Sequence, residues 1–411
     1  MAKPKYRVAL LSSEYPPHVY GGLGTHVAEI TAALAHDVEF DLFVPARGDY
    51  ELRDGIRLHE VPVTPGPNNV ELWLHYCRAA VQLAESAALS VDLIHCHDWM
   101  TAPAGTKLRS ILGKPLVCNI HLPQAFVSYQ CIEKIGLLNA DLVLVNSWAM
   151  REELEAYKVP MRRLEIVPNG VDLETFRPGN DWPADDGYVL FVGRLVAQKG
   201  VTFLLEALSV VLERCPETRL IVVGDGELEL FLKRITRYLG VPHRVTFLDW
   251  TTGPDLVSLY QRARFVIVPS YYEPFGIVAL EAMACGRPVI ASRTGGLVEI
   301  VNDGVDGFLV EVGNHLQLAQ RMVSLIEDRE RREAMGRAAR ERATAFSWDR
   351  AGAQTLALYD SLAGQHLELC PPRLDHATIK ELSENLEPDA RRLVMSILNS
   401  PPPQHSTALH H

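Results

Sequence analysis

The run Arg264-Phe-Val-Ile-Val-Pro-Ser-Tyr-Tyr-Glu273-Pro-Phe-Gly276-Ile-Val-Ala-Leu-Glu281-Ala-Met-Ala, followed by Gly286-Arg-Pro-Val-Ile-Ala-Ser-Arg-Thr-Gly295-Gly296, constrains the fold more than any other stretch. Phe265 to Val268 is short, apolar and rich in β-branched residues, the composition of a strand buried on both faces. Ile277 to Ala284 is rich in helix formers and too long for that strand. The order is therefore strand, loop, helix, strand, glycine turn. Pro274 suits the first turn of a helix, where its missing N–H costs nothing, and Gly276 lets backbone come close to a ligand at the electropositive helix end. Glu273 then stands in the loop at the helix entrance, with Glu281 about two turns inside at 1.5 Å per residue. Two carboxylates flank an anion-ready helix start.

A length of 411 residues gives two to three domains, and 47% hydrophobic residues is enough for buried cores. The longest apolar runs, such as Arg219-Leu-Ile-Val-Val-Gly224, are strand-sized, and Met-Ala-Lys-Pro-Lys leads straight into a strand without a signal-peptide pattern. The expectation is a cytoplasmic protein with no transmembrane segment. Seven cysteines with no Cys-x-x-Cys pair read as small core residues, not as a disulfide framework or a zinc site. The net charge of −11 opposes nucleic-acid binding and leaves room only for a local basic pocket.

Tyr6 to Ser13 reads as a first strand, and Gly21-Gly22-Leu-Gly24 ends a loop that runs into the helix Thr25 to Leu34. A βα turn with three glycines can bring N–H groups to an anion, but it lacks the Gly-x-Gly-x-x-Gly fingerprint and the Gly-Lys-Ser/Thr ending, and a tight turn with no ligand explains it as well. Val38 to Val44 and Ile56 to Val63 are strands, Val70 to Ala88 a helix, and Val91 to Trp99 a strand ending in polar side chains. His97 and Asp98 thus stand where an open α/β sheet forms its ligand crevice. His95 shares a face with His97 and reads as a satisfied polar residue. His121 ends the strand Pro115 to Ile120; a His/His/Asp metal trio is imaginable, but no further ligands stand out and no metal is assigned. A charged helix, Ala149 to Tyr157, precedes the close of the first half at Asp172, and the turn-rich Phe176 to Gly187 reads as a linker.

A second βα series opens with Tyr188 to Gly193, then Arg194 and Lys199, then a helix over Phe203 to Leu212. Cations at a helix N-terminus meet the positive end of its dipole, which is costly unless an anion lies between them, so a phosphate site is preferred to a solvated pair. Asp225-Gly-Glu227 superficially resembles an Asp-x-Asp metal motif, but the turn explains Gly226. Gly295-Gly296 is one more loop of close backbone approach. Leu316 to Ala345 reads as two Arg/Glu-rich helices with exposed i,i+4 pairs, Arg350 to Gln365 as a final helix capped by Phe346-Ser-Trp348-Asp349, Ala377 to Leu398 as one or two amphipathic helices, and the chain from Ser400 on as disordered.

Glu273-x7-Glu281 with its Pro-Phe-Gly insert, Arg194/Lys199 in Gly-Arg-Leu-x-x-Gln-Lys-Gly, and Gly21-Gly22-Leu-Gly24 resemble the retaining family-four glycosyltransferases of GT-B fold; His95-Cys-His97-Asp98-Trp99 is similar to their glycogen and starch synthase-like members. The resemblance spans most of residues 6 to 365. It implies an α/β protein with two Rossmann-like domains facing a central cleft: an acceptor domain over 1–172, a nucleotide-sugar domain over 173–346, a helix over 347–369 crossing back to the first domain, and a tail over 370–411. It also implies roles. Glu281 would bind the donor ribose, and Glu273 the donor sugar. Arg194, Lys199 and the backbone of Phe275, Gly276 and Ile277 would hold the diphosphate, with Gly21 and Gly22 beside it. His97 would contact the sugar and help stabilise the transition state. The implied reaction moves a hexosyl group, glucose from ADP- or UDP-glucose, to a hydroxyl of an α-glucan with retention, needing no metal and no cofactor beyond the donor. Val19-Tyr20 stands where bacterial glycogen synthases carry a Lys before the paired glycines, which keeps a small acceptor such as a sugar phosphate open. A catalytically silent nucleotide-sugar-binding subunit is the reading from another class. Acceptor choice is assigned to loops around Pro62 to Leu72 and Leu122 to Gly136, while oligomeric state has no signal.

Overall fold

Two parallel sheets carry the fold in the computed structural model, which describes residues 4–64, 68–124, 127–179, 187–363, 381 and 383–399. The first comprises β1 (Tyr6–Leu11), β2 (Val38–Pro45), β3 (Ile56–Val61), β4 (Leu93–His97), β5 (Leu116–Ile120), β6 (Leu142–Val145) and β7 (Leu164–Ile166), in the order β3-β2-β1-β4-β5-β6-β7. Its helices are α1 (Gly22–Ala33), α2 (Asn69–Ser86), α3 (Asp98–Leu112), α4 (Val127–Asn139) and α5 (Trp148–Ala156). The second sheet comprises β8 (Tyr188–Val192), β9 (Leu220–Val223), β10 (Val245–Leu248), β11 (Ala263–Val268), β12 (Val289–Ser292) and β13 (Gly307–Val310), in the order β10-β9-β8-β11-β12-β13. Around it run α6 (Val201–Arg214), α7 (Glu229–Tyr238), α8 (Gly253–Arg262), α9 (Ile277–Ala284), α10 (Leu297–Ile300), α11 (His315–Glu327) and α12 (Arg329–Ala343). The chain continues through α13 (Trp348–Ala363) to α14 (Pro388–Asn399).

The chain divides into two units. One holds Met1–Val145, Met150–Val167 and the described part of Gly352–His411; the other holds Asn146–Ala149 and Pro168–Ala351. The division falls inside α13, whose first four residues belong to the second unit and the remainder to the first. Each unit is a Rossmann-like α/β layer structure, as expected. The central strands explain why: every residue of β4, β5 and β6 is buried, which a parallel sheet covered on both faces requires of its apolar runs. In each sheet the connections depart in opposite directions from one adjacent pair, β1/β4 in the first and β8/β11 in the second, so a crevice opens at the carboxyl ends of those pairs.

Four local expectations change. The strand read over Val91 to Trp99 ends at His97, and Asp98 opens α3 with φ of 56°, a left-handed conformation that Asp tolerates better than most residues. Part of the acceptor loop read over Leu122 to Gly136 is α4; a Cβ on Gly136 would lie 2.6 Å from that of Ala102, so this glycine marks close packing of α4 on α3 and not a turn. The other acceptor loop ends early, because α2 begins at Asn69 with Asn68 capping the Glu71 N–H. In α12, Arg329 and Glu333 pair as expected, but Arg332 is buried and donates to the Leu325 carbonyl at 2.6 Å.

Within the first unit α14 lies against α2 and α3, with Leu386 just before it and Ala390, Val394 and Ile397 along it all buried in the core. A helix of 12 residues is marginal alone, so this burial, about 1.5–3 kcal/mol for each large aliphatic side chain, holds it. The expected helix over Ala377 to Leu398 is thus present in its second part, and its earlier part falls mostly outside the described residues. Ile397→Ala is expected to destabilise the chain by about 2–4 kcal/mol in urea unfolding; a change below ~0.5 kcal/mol would place α14 outside the folded core.

Candidate active site

In the second unit the loops leaving β8 and β11 are stitched together. After β8 the chain makes a 3-10 turn, Ala197–Lys199, and Gly200 with φ of 65° starts α6. A Cβ there would lie 2.0 Å from the Pro269 carbonyl oxygen, so glycine is required for the two loops to touch. The Tyr271 N–H donates to the Gln198 carbonyl at 2.8 Å, and Gln198 Nε2 donates to the Tyr272 carbonyl at 3.1 Å. These bonds bring Lys199 Nζ to Glu273 Oε2 at 2.7 Å, where Ser270 Oγ also donates at 2.9 Å.

The cost expected of Lys199 at a helix start is therefore offset by Glu273 within the chain itself, and its presence there does not by itself demand a bound anion. Arg194 differs: it is exposed and makes no hydrogen bond or ion pair among the described residues. The glycine pair Gly295-Gly296 also serves this loop. The Gly296 N–H donates to the Glu273 carbonyl at 2.9 Å, and a Cβ on Gly295 would lie 2.0 Å from the same oxygen, so the close approach read there is to backbone of the chain.

Helix α9 spans Ile277 to Ala284, as expected. Pro274 lies before the helix, with its carbonyl accepting from Ser147 Oγ at 2.7 Å, and Glu281 is the fifth helical residue, one turn in and not two. Gly276, at φ of 117°, caps the helix: its carbonyl takes the Ala279 and Leu280 N–H groups at 3.0 and 3.2 Å, and the N–H groups of Ile277 and Val278 lie ahead of them. Phe275 is buried ahead of them. Glu281 takes the hydroxyl of buried Tyr260 at 2.7 Å. Burial pushes this carboxyl up to about 7, the Tyr260 bond pulling the other way.

The first unit supplies a second cluster at the ends of β1, β4 and β5. Gly21 precedes α1 in extended backbone that any residue adopts, and a Cβ on it would meet nothing within 4 Å. Gly22 is the first helical residue. Gly24 answers to packing, since its Cβ would lie 2.9 Å from Glu14 Oε2 and from Val19. His97 is fully buried, with Nδ1 2.9 Å from His121 Nε2, to which Asn119 Nδ2 also donates at 3.1 Å. Burial and the neighbouring imidazoles hold His97 and His121 neutral, far below the usual histidine range. His95 was read as a satisfied polar residue; its Nδ1 meets the Tyr359 hydroxyl at 2.7 Å, while its buried Nε2 has no hydrogen-bond partner among the described residues. Asp98 is a clamp: Oδ1 accepts from the His121 N–H at 2.6 Å, and burial pushes its carboxyl up to about 7.

Each unit thus gathers its own share of the predicted residues: Arg194, Lys199, Glu273, Phe275, Gly276, Ile277 and Glu281 in one, Gly21, Gly22 and His97 in the other. Tyr260, Ser270, Gln198 and His26 escaped the sequence reading. Ser270 had a signal, being polar just beyond a buried strand. His26 had one too, standing in the apolar stripe Leu23, Val27 and Ile30 of α1. Tyr260 had none.

The Glu281 carboxyl carries a pH signature. The folded state keeps a proton that the unfolded chain releases near 4.5, so its contribution to stability is full below that pH and is lost as pH rises through about 7. Glu281→Gln removes the titration. Its stability relative to wild type is expected to rise by up to ~3 kcal/mol across that window in urea unfolding at stepped pH; parallel curves for the two proteins would contradict the assignment.

Comparison with known proteins covers both units. The profile of Glycosyltransferase Family 4 matches residues 20–175, and that of Glycosyl transferases group 1 matches residues 172–342. A D-inositol 3-phosphate glycosyltransferase of Corynebacterium diphtheriae is 31% identical over 86% of this chain and 92% of its own. A glycogen synthase of Mycobacterium tuberculosis is 30% identical over 90% of this chain and 97% of its own. Among solved structures, sucrose-phosphate synthase from Thermosynechococcus elongatus superposes with a TM-score of 0.77 at 26% identity, covering 87% of this chain and 98% of that one. HepE of Anabaena in complex with UDP gives 0.69 at 25% identity, covering 87% and 100%. With near full-length relatives at this identity and two parallel-sheet units in common, the chain belongs to the family-four glycosyltransferases of GT-B fold, among their glycogen and starch synthase-like members.

Proposed function

We propose that the chain transfers a hexosyl group, glucose from ADP- or UDP-glucose, to a hydroxyl of an α-glucan with retention of anomeric configuration. The observation that carries this reading is the β8/β11 crevice of the second unit, where one small region offers Arg194, the Lys199–Glu273 pair, the start of α9 and the half-buried Glu281 carboxyl. Breaking the sugar–phosphate bond puts charge on the departing diphosphate. Lys199 and the α9 N–H groups are donors held for that charge, and fixed donors act without reorganisation cost, while the exposed Arg194 adds a second cation. Glu281 suits ribose hydroxyls and Glu273 the hydroxyls of the sugar. In this reading Lys199 is held by Glu273 until the donor arrives and then divides its charge between carboxylate and phosphate. His97, kept neutral, receives or donates a hydrogen bond to the sugar. The acceptor attacks from the face that the diphosphate leaves, and a departing phosphate oxygen takes the acceptor proton.

A second reading, transfer to a small acceptor such as a sugar phosphate, is favoured by Val19-Tyr20 ahead of Gly21 and by the inositol-phosphate and sucrose-phosphate enzymes among the relatives. Release of nucleoside diphosphate from ADP- and UDP-glucose, measured with glycogen and with a panel of sugar and polyol phosphates, separates the two, and NMR of the product anomer tests retention. Absence of transfer with every pair despite tight donor binding would leave a silent nucleotide-sugar binder.

Two variants test the donor site by calorimetry with the free nucleoside diphosphate. Lys199→Ala is expected to weaken binding at least about tenfold, ~1.4 kcal/mol. Gly21→Ala is expected to change stability by less than ~0.5 kcal/mol, since no protein atom meets the new methyl group, yet to weaken binding by crowding the phosphates. Unchanged affinity in both variants would remove the diphosphate from this site.

A further inference from the structure

The buried imidazoles of the first unit are more numerous than sugar recognition needs. His26 comes from α1, His97 ends β4 and His121 follows β5. The strands are neighbours with His97 opposite Asn119, so His121 stands one pleat further along on the same face, and α1 carries His26 over that face. One nitrogen from each of the three rings lies within 4.8 Å of the other two, and the residues are only 3%, 0% and 8% exposed. The His26 ring lies 4.6 Å from His121 and 5.5 Å from His97 between centroids.

We infer that His26, His97 and His121 form a site for a zinc-like divalent ion, and that occupancy of this site withdraws His97 from the donor sugar and inhibits transfer. Three imidazoles on one side of an ion are the ligand set of an open tetrahedral site, with the fourth position left to water. All-nitrogen ligation selects Zn2+, Cu2+, Ni2+ or Co2+ over Mg2+, Ca2+ or Mn2+. The fit needs little movement. Zinc–nitrogen bonds of about 2.0–2.1 Å put tetrahedral ligand atoms roughly 3.3 Å apart, so the His97–His121 pair at 2.9 Å opens slightly and the His26 nitrogen moves in. As the ion enters, the proton now shared between His97 Nδ1 and His121 Nε2 moves to His97 Nε2, so both rings stay neutral and turn a lone pair to the ion. Ligand placement is already fixed: Asp98 holds the His121 backbone, and His95 stacks on His97 at 4.5 Å while anchored to Tyr359.

Metal binding is measured without donor or acceptor, so its failure is distinct from failure of the transferase reading; only the inhibition rests on that reading. The tag-free chain, stripped by chelator, is titrated with Zn2+ against a chromophoric chelator. One Zn2+ per chain is expected, weakened about 100-fold or more in His26→Ala and in His121→Ala, with circular dichroism checking the fold and His26→Gln as a gentler second variant. Co2+ is expected to give tetrahedral d–d bands with no sulfur charge-transfer band. His26→Gln is expected to retain transfer activity and lose its inhibition by micromolar Zn2+. No stoichiometric binding, equal affinity in all variants, or a thiolate band placing the ion at Cys96 and Cys118, whose sulfurs lie 3.1 Å apart, would overturn the assignment.

Discussion

An all-parallel sheet imposes one constraint from which the rest of this protein follows. Each strand must be reached by a right-handed crossover, so covering both faces with helices forces the winding to reverse at one adjacent strand pair. Here those pairs are β1/β4 and β8/β11. At them alone two consecutive βα loops part from each other, one going to each face, and leave polar side chains with a place to converge. Gly21 and His97 leave one pair; Lys199 and Glu273 leave the other. The chemistry is local to the reversals because elsewhere the loops are sealed by the helices they feed.

The Lys199–Glu273 pair shows how such a place is kept ready. Both side chains are mostly buried, at 19% and 13% exposure, where removing one partner is far more costly than at an open surface. The loop hydrogen bonds through Gln198 and Tyr271 hold the backbone, and the glycines at 200 and 295 remove the side chains that would keep those backbones apart. Tyr260 does for Glu281 what Ser270 does for Glu273: each supplies a hydroxyl to a carboxylate that faces desolvation. The acidic groups are thus supported from the core side and leave their other lone pairs for a ligand.

Much of this was legible in the residues. Apolar runs gave the strands, and the spacing of Glu273, Gly276 and Glu281 around a helix start pointed to one region before any contact was known. What stayed hidden has a common cause. Tyr260 meets Glu281 across 21 residues and Lys199 meets Glu273 across 74, distances at which a chain carries no pairing signal. The helix inside the loop read over Leu122 to Gly136 went unseen because glycine permits close packing as well as turns, and Pro274 was misplaced because a residue fit for a helix start need not stand at one. The dipole argument for Lys199 counted the helix and omitted a carboxylate that only the folded chain brings near.

The split of α13 between the two units bears on how the protein is made. The second unit is nearly continuous in sequence, whereas the first needs Tyr359 against His95, 264 residues earlier, and the α14 residues that close its core. A chain emerging from the ribosome therefore completes its later-encoded unit first. The first unit, though begun earlier in the chain, waits with part of its apolar surface uncovered until α14 is released. The buried anchor of His95 is likewise made only once Tyr359 has emerged, so the unit entered first is finished second.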